Sequence, residues 1–380
     1  MIRYRPFRQK RNFAIALLTE LLAPLLRRWA ERRTGSPVSA PQLWRRALIL
    51  GDNHIGDLLY RTCSLRALKT GLPECDFYYL AAPGTADILA GNPYLKAVLP
   101  WARSDSRLDL SPEHMRELRS LRFDTALCTN CIRYWPELLL AIRLGIPNRA
   151  GYTYKGFSGW VTHAIPIRYP QPFAAYFRDY VAALAGQGVT EPLRPELHVT
   201  PAAEEEAENA FRRLEPANSK PVVAFFLTSR QPAELWPAEN YATLFKQLGA
   251  HLSVRIVLLG SPDDRVFLEG IASRTEPDMH VPVCTALSLP GLAAFLKRCS
   301  LVVAKDSGPR HMANAVGTPL LFFRNTTFSQ VEAGIYCPNE FDLTPPGEFL
   351  DERRQRNLLA SIEPAEVLRQ VERAFGSKQR

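Results

Sequence analysis

From residue 47 onward, short apolar runs alternate with stretches in which apolar side chains recur every three to four positions. Ala47–Gly51, Phe77–Ala81, Ala97–Leu99 and Asp124–Cys128 have the length and composition of buried strands. Asp57–Thr70, Thr85–Leu89, Pro112–Leu121 and Pro136–Leu144 have helical spacing. Strands that alternate with helices predict parallel α/β units with helices on both faces of a sheet. The stretch from Tyr152 to Lys220 is less regular and rich in proline; it predicts helices only over Tyr176–Leu184 and Ala202–Arg213. A second series then begins. Val222–Leu227, Arg255–Gly260, a run near His280–Val283, Ser300–Ala304 and Pro319–Phe323 read as strands. Ala238–Gly249, Asp263–Ser273, Leu289–Lys297 and Pro364–Phe375 read as helices. The expected fold is therefore α/β: two doubly wound domains facing each other across a cleft, with ligands at the carboxyl ends of the strands. The bounds expected are an extension over 1–42, a first domain over 43–190, a connection over 191–219, a second domain over 220–350 and a closing helical segment over 351–380.

A chain of 380 residues suits two domains. The net charge of +9 is unevenly placed: residues 1–46 hold eleven Lys/Arg against Glu20 and Glu31, while the rest holds 36 basic and 36 acidic side chains. A body-wide nucleic-acid footprint is thereby excluded, and the N-terminus is the part drawn to anionic lipid or glycolipid. Residues 13–26 are apolar but contain Glu20 and Pro24, too short and too interrupted for a bilayer span. Arg27 and Arg28 stand where a signal peptase would need small residues. Three readings remain: a helix lying at an inner-membrane surface through residues 1–33, a helix packed on its own domain or another subunit, or an uncleaved signal. Residues 34–42 read as a linker. Seven scattered cysteines argue against a disulfide framework, and Cys128–Cys131 lacks the partners of a metal or redox motif, which suits a cytoplasmic protein with reduced thiols.

Three strand-to-helix turns could carry chemistry. Gly51–Asp57 joins glycines and carboxylates after the first strand; Asp57 reads either as a helix N-cap or as a general base for a substrate hydroxyl. Lys305–Ala315 follows an apolar strand. A helix starting near Gly308-Pro309 would aim N–H groups at an anion beside Asp306, Ser307, Arg310 and His311, or be an ordinary capped helix. Thr228, Ser229 and Arg230 follow another strand. They could hold phosphate oxygens, or form a surface loop with Trp236 as a packing anchor.

In this order the segments resemble the heptosyltransferase-type glycosyltransferases of family 9, which have the GT-B fold. The matching pieces are ALILGDNHIGDLL, Gly91-Asn92-Pro93, LGIPNRAGY at Leu144–Tyr152, Trp236–Tyr241, Leu259–Asp264 and above all Asp306–Ala315. The resemblance implies inverting transfer of a sugar, typically heptose from ADP-heptose, to the inner core of lipopolysaccharide. It implies Asp57 as general base, with Asn53, His54 and Gly56 of the same turn on the acceptor side. The nucleotide-sugar would lie on Thr228, Ser229, Arg230, Asp306, Ser307, Gly308, Pro309 and His311, with Asp264 on the ribose hydroxyls. No metal or other cofactor is implied, and the histidines show no ligand spacing. The expected partners are a nucleotide-sugar, an ADP-sugar first, and an anionic glycolipid; nucleic acid is not among them. Two departures stand out. Glu234 occupies the position of the family's phosphate-binding lysine, for which Arg230 or Arg310 could substitute, and Cys63 replaces a proline six residues after Asp57. Two alternatives stay open: a transferase using another nucleotide-sugar for O-antigen or capsule assembly, or a catalytically silent glycolipid-binding homologue.

Overall fold

The computed structural model describes residues 10–35, 38–51, 54–100, 110–131, 134–168, 170–186, 194–214, 220–229, 235–276, 279–324, 330–345 and 358–376. The chain divides into two compact units, Met1–Leu193 and Arg194–Arg380.

The first unit is built on a parallel sheet of β1 (Arg46–Leu50), β2 (Asp76–Ala81), β3 (Ala97–Pro100), β4 (Thr125–Cys128), β5 (Asn148–Tyr152) and β6 (His163–Ile165), in the order β3-β2-β1-β4-β5-β6. Residues 47–50 of β1 and all of β4 are buried, as two helical layers require. Growth outward from β1 in one direction and from β4 in the other leaves a switch point between these two strands. At their carboxyl ends open sheets of this kind bind ligands. The helix expected over Asp57–Thr70 is two, Ile55–Thr62 and Leu65–Gly71, because Ser64 leaves the helical region (φ −131°, ψ 11°).

The second unit repeats the plan with β7 (Val222–Phe225), β8 (Arg255–Leu259), β9 (Val283–Cys284), β10 (Leu301–Lys305), β11 (Leu320–Phe323) and β12 (Glu340–Leu343), in the order β12-β11-β10-β7-β8-β9. Its switch point lies between β7 and β10. The core beneath gathers Phe225, Tyr241, Phe245, Leu258, Val303, Leu321 and Val371, with Trp236 at 1% exposure. Trp236 donates Nε1 to Ile362 O (2.8 Å) and is a packing anchor, the plainer of its two readings. The helix Pro201–Arg213 is not part of a connection: it lies in the second unit, where Phe211 packs tilted against Phe295 (4.2 Å) and Glu206 accepts from Ser288 N–H (2.7 Å).

The apolar N-terminal segment forms two helices, Lys10–Leu21 and Ala23–Thr34, with Leu22 between them and Pro24 in the first turn of the second. They dock on the first unit by their small and polar residues. Ala16 and Ala30 are buried. Thr19 Oγ1 accepts from Phe157 N–H (3.2 Å), and the Glu20 carboxylate accepts from Ser158 N–H and Oγ–H (2.9 and 2.6 Å). Trp29 packs on Trp160 (5.8 Å). The backbones come so close that a Cβ on Gly159 would overlap the Ala23 carbonyl. Phe13, Leu17, Leu18, Leu21 and Leu25 are left exposed, Leu21 at 72%.

Candidate functional site

In the first unit, the turn after β1 and the loop after β4 are stitched together at the switch point. Thr129 N–H and Oγ–H both donate to Leu50 O (2.9 and 2.6 Å). Buried Arg61 spans the gap, donating Nε to Thr129 Oγ1 (2.6 Å) and Nη1 to Asp57 O (2.7 Å). Its guanidinium fills the space where a side chain on Gly51 would stand, which is why the turn needs glycine there. His54, exposed and extended (φ −70°, ψ 141°), occupies the N-cap position. Asp57 is not the N-cap: it is the third residue of the helix, half-buried, with Gly56 before it in the same turn. A carboxylate in the first turn is favoured by the helix dipole. Asn53 lies outside the described residues.

In the second unit β7 pairs in parallel with β10, so the loop that carries Thr228 and Ser229 and the turn that carries Asp306 and Ser307 both leave the carboxyl edge of the sheet; Phe226 N–H donates to Val303 O (2.9 Å). The helix Gly308–Val316 starts here, with Ser307 as N-cap, Gly308 and Pro309 opening it and no side-chain cap bond. In its first turn Pro309 has no N–H and Arg310 N–H donates to Ser307 O (3.0 Å), so the helix start acts on an anion chiefly through the positive end of its dipole. Asp264 follows β8, next along the edge. Its Oδ2 accepts from Ser261 N–H (2.8 Å) and Oγ–H (2.6 Å), so this oxygen closes a capping box. Arg230 and Glu234 lie outside the described residues.

Arg310 and His311 differ from the sequence reading. Arg310 is wholly buried and uses all five N–H groups within the protein. Nε and Nη2 meet Glu340 (2.6 and 3.1 Å), Nη1 meets Asp306 Oδ1 and Ala333 O (both 2.8 Å), and Nη2 also meets Gly334 O (2.6 Å). It cannot replace a phosphate-binding lysine without dismantling this cage. His311 is buried, with Nδ1 2.8 Å from Tyr336 Oη. Burial, with Arg310 beside it, holds its pKa well below the ordinary histidine value. It is a neutral, oriented imidazole and not a cation.

Glu340, Tyr336, Arg61 and Thr129 were missed in sequence. Glu340 accepts from Arg310, Asn314 Nδ2 (2.7 Å) and the N–H groups of Tyr336 (2.8 Å) and Cys337 (3.2 Å). The signal available was a charged residue in a short strand, together with Arg310 and Asn314 four apart on one face of a helix. Neither Cys128 nor Cys131 is in a disulfide, and burial pushes the Cys128 pKa well above its ordinary value, which makes it a poor nucleophile.

Each unit is a doubly wound α/β domain with a switch point at the carboxyl edge of its sheet, the place where ligands bind such sheets. The sequence profile of glycosyltransferase family 9 (heptosyltransferase) matches residues 113–333, and the chain belongs to that family. It is 23% identical over 315 residues to lipopolysaccharide heptosyltransferase 2 of Escherichia coli K12, covering 79% of this chain and 84% of that one. Among solved structures, a family 9 glycosyltransferase from Veillonella parvula superposes with a TM-score of 0.77 at 19% identity, covering 90% of this chain and 99% of that one. The E. coli ADP-heptose lps heptosyltransferase II superposes with a TM-score of 0.70 at 20% identity, covering 88% and 100%.

Proposed function

We propose that this glycosyltransferase moves a sugar, heptose from ADP-heptose in the first instance, onto the lipopolysaccharide core or a related lipid-linked acceptor. One observation carries the reading: at the β7/β10 switch point, where the turns bearing Thr228, Ser229, Asp306 and Ser307 leave the sheet, a nine-residue helix starts without a side-chain cap bond. Hydroxyls at the positive end of a helix dipole suit a diphosphate. The relative that resembles this chain over 88% of its length uses, by its name, ADP-heptose.

In the reaction, Asp57 takes the proton of the acceptor hydroxyl as that oxygen attacks the anomeric carbon. The bond to the nucleoside diphosphate breaks with its electron pair leaving on the diphosphate, and one displacement inverts the anomeric centre. The growing charge on the leaving group is met by the helix start. His311 contributes orientation, since it is neutral. Thr228 and Ser229 hold the phosphates, and Asp264 is assigned to the ribose.

The acceptor is lipid-linked, and the exposed apolar face of the N-terminal helices, flanked by Arg27, Arg28, Arg32 and Arg33, would hold the enzyme on the anionic inner leaflet at its cytoplasmic side. Among the described residues no helix is long and apolar enough to cross a membrane.

The test is thermal unfolding with ADP, UDP, GDP and CMP. A ligand at about 100 times its Kd adds about 2.7 kcal/mol. Selective stabilisation by ADP supports an ADP-sugar donor. Stabilisation by UDP or GDP instead moves the function to another nucleotide-sugar, and no stabilisation at all makes the chain a silent homologue.

A further inference from the structure

One guanidinium at the carboxyl edge of the second sheet is still without a task. Arg324 follows β11 directly, and its N–H donates to Leu343 O (2.9 Å), which keeps it in register with β12. Asp306 N–H donates to Phe323 O (3.1 Å), so Arg324 stands beside the turn that opens the helix Gly308–Val316. Along the edge the order β11-β10-β7 sets Arg324, then Asp306 and Ser307, then Thr228 and Ser229 in a row.

The side chain of Arg324 is only 6% exposed. Nε donates to Thr344 Oγ1 (3.0 Å), whose own hydroxyl donates to Asp342 Oδ2 (2.9 Å). Nη1 is buried and meets no acceptor among the described residues. Two carboxylates, Asp342 and Asp306, act on its charge, but neither is its own. Asp342 reaches it through Thr344, and Asp306 Oδ1 is held by Arg310 Nη1 (2.8 Å). The contrast with Arg310, whose five N–H groups are all used, is direct. Burying a cation with a donor unspent is unfavourable unless an anion completes it.

We propose that Arg324 is the cation that receives the diphosphate of the nucleotide donor. The proposal rests on the reading of the second unit as a nucleotide-sugar site. It joins two independent features at one edge, a helix start lacking a side-chain cap and a buried guanidinium with an unpaired N–H. A guanidinium suits the task because it is always charged and meets phosphate oxygens in fixed geometry. It reads the diphosphate and not the base, so its removal should discriminate between ligands with and without phosphate.

The experiment is calorimetric titration of the full-length protein with ADP and with adenosine, in the wild type, Arg324→Gln and Arg324→Met. Arg324→Gln is expected to weaken ADP at least about tenfold, in line with loss of a charge-assisted contact, with adenosine affinity unchanged. The donor KM should rise with it. Should the Gln variant not fold cooperatively, Arg324→Met, which buries no unpaired amide, is judged by the same criterion. Wild-type ADP affinity in the variants overturns the proposal and leaves the donor site standing. So does an equal loss of ADP and adenosine, which would make Arg324 structural. If the wild type binds none of ADP, UDP and GDP, the donor reading falls and the proposal falls with it.

Discussion

The Arg310 guanidinium and the Glu340 carboxylate, both side chains fully buried, lie side by side, Nε on Oε1 at 2.6 Å and Nη2 on Oε2 at 3.1 Å. Through this pair the helix Gly308–Val316 is tied to the segment Ala333–Glu340, because Arg310 also holds the carbonyls of Ala333 and Gly334 while Glu340 holds the N–H groups of Tyr336 and Cys337. Tyr336 is thereby placed against His311. The ion pair fixes the wall of the candidate donor site and does not itself meet the donor.

Glu340→Gln tests that role. It keeps the shape but leaves Arg310 buried with Asp306 as its remaining carboxylate. Breaking one side of a buried pair costs about 3–5 kcal/mol, so the denaturation midpoint in urea should fall steeply. A loss under about 1 kcal/mol would show that the cage does not hold the unit together.

His311 makes stability depend on pH in a definite direction. Its folded pKa lies below the ordinary value of 6.5, through burial first and Arg310 second. Above about pH 6.5 both folded and unfolded states keep it neutral, and its full contribution is present. As the pH falls below that value the unfolded chain takes up a proton that the folded one refuses, and stability declines by up to about 1.4 kcal/mol per pH unit. His163, lowered by its own burial, acts in the same direction and leaves a residual slope. Urea denaturation between pH 8 and pH 5 should therefore show a steeper loss in the wild type than in His311→Asn. Parallel curves would refute a buried neutral imidazole.

The alternation of apolar runs with helical spacing was enough to find nine of the strands and the doubled architecture, because parallel strands covered on both faces must be almost uniformly apolar. Three strands were not legible. β5 reads Asn-Arg-Ala-Gly-Tyr, and its polar members are buried only because distant groups satisfy them: Arg149 donates to the carbonyls of Trp160, Ile146 and Pro147, and Asn148 bonds Ser39 and Asp124. β12 hides Glu340 against Arg310 in the same way, and β6 has only three residues. Pattern reads periodicity, and these pairings are made across the fold. The turns after β1, β7 and β10 were visible since a strand-to-helix turn with Gly, Ser, Asp and Pro has local chemistry. What could not be seen was which arginine was already spent.

Asp57→Asn should separate chemistry from binding. Asp57 belongs to the first unit and the proposed nucleotide site to the second, so the substitution should lower kcat by about 10²–10⁴-fold, the range of a lost general base, while ADP binding is unchanged. Loss of ADP affinity along with turnover would remove Asp57 from the role of base. Unchanged turnover would do the same.

The N-terminal helices invert the usual amphipathic arrangement: Ala16, Ala30, Thr19 and Glu20 face the protein, and Leu17, Leu18, Leu21 and Leu25 face outward. Leu17 is 53%, Leu21 72% and Leu25 61% exposed, and arginines flank them. On a bilayer each leucine would bury area worth about 1–2 kcal/mol, and each nearby arginine about 1 kcal/mol at an anionic surface. Replacing Leu17, Leu21 and Leu25 together by serine should weaken sedimentation with phosphatidylglycerol-containing vesicles at least about a hundredfold. The melting temperature should hardly move, because exposed side chains away from caps and cores change stability within about 0.5 kcal/mol. Raising the salt concentration should weaken the wild type as well, by screening the arginines. If the triple variant sediments as the wild type does, the leucine face is not the membrane contact. If it instead converts an oligomer to a monomer, the face covers a second copy of the chain and the inner-leaflet assignment is withdrawn.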